Sequence, residues 1–135
     1  MDLTTTNLEQ RNLDEIAANR ERYGVDRWGR DYFDISDAGN LLVKAPTKTG
    51  SQPVELMEII QGLKDRGLEM PVMLRLENVL NDRVVKLNQA FRQAIQVCGY
   101  QNEYRGVFPI KVNQQQQVVA DITRAGAEFG HGLEA

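Results

Sequence analysis

A lysine sits inside an apolar run in the segment 104–114, YRGVFPIKVNQ, where Val107, Phe108, Ile110 and Val112 surround Lys111 over the length of a strand. Ammonium groups are strongly hydrated, so burial disfavours the charged form and lowers the pKa. The neutral amine freed in this way attacks a carbonyl to form a Schiff base. The plainer reading leaves Lys111 at the strand tip with its head reaching back to water. From this residue alone both readings stand.

The neighbouring elements decide what Lys111 can face. The clearest helix spans 78–98, with Leu80, Val84, Leu87, Phe91, Ile95 and Cys98 at helical spacing and Gly99 as its stop. The spacing predicts a strand over 104–112. Asn113 then reads as an N-cap, with Gln116 closing a capping box. Val118, Ile122, Ala125 and Phe129 form the buried face of the helix that follows. The sequence Gly130-His131-Gly132 breaks it, and Leu133-Glu134-Ala135 opens another strand. His131 between two glycines could approach a ligand; capping the turn is the preferred reading.

Upstream, residues 1–22 are polar with sparse apolar points at Leu8, Leu13 and Ile16, which predicts a weak helix, mobile or docked late. Tyr32, Phe33 and Ile35, a turn at 37–40 and the apolar residues after Leu41 predict a β-hairpin. Trp28 and Tyr32 are read as packing residues. Residues 46–52, PTKTGSQ, read as a linker. Pro53 opens a helix whose face is Leu56, Ile59, Ile60 and Leu63, ended by Gly67. The nearly continuous apolar run 72–76 has the pattern of a strand buried on both faces. Arg75 within it is read as a salt-bridge partner before an anion ligand.

Composition narrows the function classes. The chain has 135 residues, 41% of them hydrophobic, and a formal net charge of −3. That balance marks no nucleic-acid surface. No run approaches a membrane span, and the N-terminus carries no apolar signal core, so a cytoplasmic chain without nucleic-acid or membrane partners is expected. Cys98 and His131 are the only residues of their types, which excludes an internal disulfide and a Cys/His zinc site built from this chain alone. The Cys98 thiol is expected reduced and packed on a helix face.

After the hairpin, helices and strands alternate, which predicts an α/β architecture with parallel strands. Two parallel strands are complete and a third begins, whereas a (β/α)8 barrel takes about 250 residues. The expectation is therefore the start of a barrel, incomplete in this chain: a polar segment 1–22, a hairpin and linker 23–52, and the first barrel units over 53–135.

The segments GVFPIKVNQQQQVV and FGHGLEA resemble the biosynthetic arginine decarboxylases of bacteria and plants, as do YGVDRWGRDYFDISDAGNLLV and PVMLRLENVLNDRV. The resemblance covers roughly residues 23–135 and about the first fifth of the family's length. It implies an alanine-racemase-like (β/α)8 barrel with a β-domain, to which the early hairpin belongs. It implies that Lys111 holds pyridoxal phosphate through an imine, and that Glu134 is a carboxylate near that cofactor. The implied reaction converts L-arginine to agmatine and carbon dioxide, a step towards polyamines such as spermidine. Magnesium and a homo-oligomer follow from the family too, with no metal ligand assignable. Other enzymes of the same fold stay open: alanine racemase, ornithine or diaminopimelate decarboxylase, or a pyridoxal-phosphate carrier. So does a short non-catalytic module that pairs with a decarboxylase. Alone, the chain is expected to be inactive and to aggregate or partly unfold.

Overall fold

The computed structural model describes residues 3–47 and 50–135, and the side chains of these except 3–9 and 51. Lys48 and Thr49 of the expected linker, and Met1 and Asp2, lie outside the described residues. The chain divides into two compact units, Met1–Leu74 and Arg75–Ala135.

The first unit opens on helix α1, Leu3–Tyr23. Its few apolar points predict a weak helix, yet it runs unbroken and is docked. Ile16 is buried, Asn12 Nδ2 donates to the Asp37 carbonyl at 3.1 Å, and Arg20 pairs with Asp34. Gly24, at φ 62°, ends it in a left-handed turn that glycine takes without penalty. A short helix α2, Val25–Trp28, leads to strand β1, Phe33–Ile35. This strand pairs antiparallel with β2, Leu41–Val43, in the register Phe33↔Val43 and Ile35↔Leu41. The expected hairpin is therefore present. Tyr32 is buried, whereas Trp28 is half-exposed, tilted against Phe33 with ring centroids 5.3 Å apart.

Three expectations for this unit are corrected. The stretch read as a plain linker forms a short ribbon, β3 (Pro46–Thr47) against β4 (Gly50–Ser51). Pro53 does not start a helix; it precedes strand β5, Val54–Glu55, which adds to the far edge of β2. Helix α3 is Leu56–Asp65. Finally, the apolar run 72–76 is not a strand. Its backbone finds no ladder among the described residues, and Val72, Met73 and Leu74 are exposed.

The second unit is built on helix α4, Glu77–Cys98, closed by Gly99 at φ 62° with the Tyr100 N–H returning to the Ile95 carbonyl at 3.0 Å. Strand β6, Val107–Pro109, lies parallel to β7, Gly132–Glu134, in the register Val107↔Gly132 and Pro109↔Glu134. Between them run a 3₁₀ turn at Ile110–Val112, helix α5 at Gln116–Gly126 and a second 3₁₀ turn at Ala127–Phe129. Val84, Val118 and Ile122 form the core, with Leu80, Phe108 and Ala125 packed on it.

The face of α4 that is buried is not the whole expected stripe. Leu80, Val84 and Asn88 turn inward, while Leu87 and Phe91 remain partly in water. Cys98 is exposed, against the expectation of a packed thiol, because the last turn of α4 runs past the core and leaves Val97 and Tyr100 exposed as well. The architecture is mixed α/β with one parallel pair. No helix among the described residues is long and apolar enough to cross a membrane.

Candidate active site

Strand β6 ends at Pro109, which has no N–H to continue a ladder. The chain turns at once into the 3₁₀ turn, closed by the Asn113 N–H on the Ile110 carbonyl at 3.1 Å. Lys111 is the middle residue of that turn, and its side chain is 78% exposed. The strand is thus shorter than the expected 104–112, and of the two readings left open for Lys111 the structure matches the plainer one, with its head in water.

Glu134 closes β7 directly across from Pro109. Its Oε1 lies 3.8 Å from Lys111 Nζ, so the parallel register brings together the two site residues expected from the sequence. The separation exceeds hydrogen-bond length, and with Glu134 itself 53% exposed the pair is worth less than about 1 kcal/mol. Both residues lie at the carboxyl ends of parallel strands, where α/β proteins gather their chemistry.

Helix α5 begins just after this point. Asn113 does not cap it as expected. Its Oδ1 accepts the Gln115 N–H at 3.1 Å, an Asx turn that sets the approach, and the N-cap position falls to Gln115 with no side-chain cap.

His131 is expected to cap the turn, and its backbone does close it: its N–H donates to the Gly126 carbonyl at 3.1 Å. The imidazole folds inward. Asn88, 1% exposed, places Nδ2 2.8 Å from the Val84 carbonyl and 3.3 Å from His131 Nδ1. Sequence reasoning passed over Asn88. The signal was an amide four residues after Val84, on the stripe begun by Leu80.

A cleft of about 480 Å³ lies at the opposite, amino ends of β6 and β7, lined by Arg92, Tyr104, Arg105 and Phe129 among others. Neither Lys111 nor Glu134 lines it. The Arg92 guanidinium there is already engaged, 4.4 Å over the Phe129 ring and donating to the Glu128 carbonyl at 2.9 Å. The amine and carboxylate at the other end of the strands are the better candidates for chemistry. Among the described residues, no group of three His, Cys, Asp or Glu side chains is placed to hold a metal ion.

No family model matches the chain. Curated relatives do. The chain is 48% identical over 113 residues to the biosynthetic arginine decarboxylase of Prochlorococcus marinus, covering 84% of this chain and 17% of that protein. It is equally similar, 48% over 113 residues, to the enzyme of that name from Rhodopirellula baltica. A Synechococcus protein of the same name is 38% identical over all 135 residues, which make up 21% of its length. The chain thus spans about a fifth of the length of the curated relatives it matches.

Proposed function

Because this chain is a relative of the biosynthetic arginine decarboxylases, we propose that it is the lysine-bearing, N-terminal part of an enzyme that converts L-arginine to agmatine and carbon dioxide. The observation that carries the reading is the pairing of Lys111 with Glu134 at the carboxyl ends of adjacent parallel strands. In this reading β6, α5 and β7 are units of a (β/α)8 barrel of the alanine-racemase type, and the β1–β2 hairpin belongs to its β-domain.

The residues fit an aldehyde cofactor such as pyridoxal phosphate. Lys111 offers an accessible primary amine on a turn held by its own backbone hydrogen bond, and Glu134 offers a carboxylate within reach of that amine. When bound, the cofactor supplies an electron sink for the pair left as carbon dioxide departs. The chain's own part is narrower. Lys111 Nζ would hold such a cofactor covalently, as a neutral amine condensing with its aldehyde with loss of water. Glu134 Oε1 faces Lys111 Nζ from the end of β7, 3.8 Å away. No residue here is assigned to magnesium, and no step is routed through it.

The test uses an enzyme of the relatives' full length. Borohydride reduction should fix the cofactor on residue 111, as seen by peptide mass mapping, and Lys111→Ala should remove both that adduct and nearly all agmatine release. Normal turnover in Lys111→Ala would refute the assignment. Decarboxylation of ornithine or diaminopimelate in preference to arginine would move the enzyme to another member of the same fold.

A further inference from the structure

Asn88 is all but fully buried, and its amide has a fixed sense. The Val84 carbonyl can only accept, so the atom 2.8 Å from it must be the amide nitrogen. The same nitrogen lies 3.3 Å from His131 Nδ1, and Asn88 Oδ1 is buried without a partner. Imidazole Nδ1 therefore meets a donor. It can accept only while it carries no proton, which puts the proton on Nε2.

The space for that ring is made by two glycines. A Cβ at Gly126 would stand 2.4 Å from His131 Cβ, and one at Gly106 would stand 2.5 Å from Nδ1, with the Tyr104 hydroxyl 3.0 Å away on the same side. Gly106 and Gly126 are themselves buried. The Gly132 N–H bonds to the Gly106 carbonyl at 2.9 Å, the first rung of the β6–β7 ladder. The imidazole thus joins α4, the approach to β6 and the end of α5 immediately before β7, three residues ahead of Glu134.

We propose that His131 is a positioning residue, its Nδ1 facing the Asn88 amide N–H as an acceptor, that sets β7 against β6 so that Glu134 faces Lys111. Its meaning for catalysis rests on the decarboxylase reading; the placement of the imidazole does not.

The test uses the 135-residue chain, whose single histidine makes the assignment unambiguous. In nitrogen-15 spectra at mildly alkaline pH, wild-type His131 should show a bare Nδ1 and a protonated Nε2. A protonated Nδ1 in the folded wild type would overturn the proposal without any variant. In Asn88→Asp the carboxylate accepts instead of donating, so the proton should move to Nδ1; an unchanged tautomer counts against the proposal.

A zero-length carbodiimide amide between Lys111 and Glu134, measured by mass spectrometry, reads the positioning. It should persist in His131→Asn, whose Oδ1 can accept where Nδ1 did, and fall severalfold in His131→Leu. Equal yield in the leucine variant, or loss in the asparagine variant, would refute the role. Failure of Lys111 to hold pyridoxal phosphate would leave all these outcomes intact, so the two proposals fail separately.

Discussion

Asp34 is the charge on which the first unit depends, and its removal has a calculable effect. Its Oδ1 accepts from Arg20 and, at 2.8 Å, from the Ile35 N–H; its Oδ2 accepts from Lys44. Burial pushes the carboxyl up, but Lys44, Arg20 and the Ile35 N–H outweigh it and bring the pKa down from 3.8 to about 2. That displacement corresponds to about 2.5 kcal/mol favouring the ionised, folded form. Arg20 and Lys44 are 38% and 36% exposed, so solvent screening reduces the expected value to about 1–2 kcal/mol. Asp34→Asn keeps the shape and removes the charge. Trp28, the only tryptophan, leans on Phe33 beside Asp34 and reports the unfolding of this unit by fluorescence. In urea at pH 7 the variant's midpoint should fall by roughly 1 M. Because the folded pKa is the lower one, the stabilisation is present above 3.8 and disappears as pH falls towards 2. The gap between the two proteins should close over that range. Equal midpoints at pH 7, or a gap that persists at pH 2, would refute the account.

Three other perturbations test the second unit. Ile122→Ala, at a core position 3% exposed, should cost about 2–4 kcal/mol, measured by denaturant unfolding followed by circular dichroism. Gly126→Ala places a methyl group 2.4 Å from His131 Cβ and should cost about 1–3 kcal/mol in the same assay, although alanine is the better helix former. Cys98 should react with maleimide at nearly the same rate in the native chain as in urea, since the native thiol is already exposed; strong native protection would contradict the placement of the last turn of α4.

What could be read from the sequence was mostly local. The α4 stop at Gly99, the hairpin turn before Leu41 and the α5 face at Val118 and Ile122 each follow from a few neighbouring residues. What failed depended on distant partners. The run 72–76 has strand composition, but a strand also needs a neighbour's backbone, and composition does not supply one. Strand β5 escaped notice because two residues carry no period; its existence comes from Leu42 and Val43 across the sheet. At the site, Lys111 was legible with a buried and a water-exposed reading both open, and Glu134 only through the family resemblance, while the early end of the strand was not. Pro109 was the overlooked sign, since it stops the ladder two residues short of the lysine. Asn88 was missed because helical spacing favoured Leu87 and Phe91, and only packing distinguishes the inward face.

The turn at Ile110–Val112 has one more implication. Along a strand, the side on which a residue emerges is a matter of parity, and a slip of one position would send Lys111 to the opposite face. A turn abolishes that parity. The bearing of the amine is instead set within Pro109–Asn113, by a proline and one backbone hydrogen bond. The backbone from which Lys111 emerges is therefore set by five consecutive residues rather than by the register of the ladder.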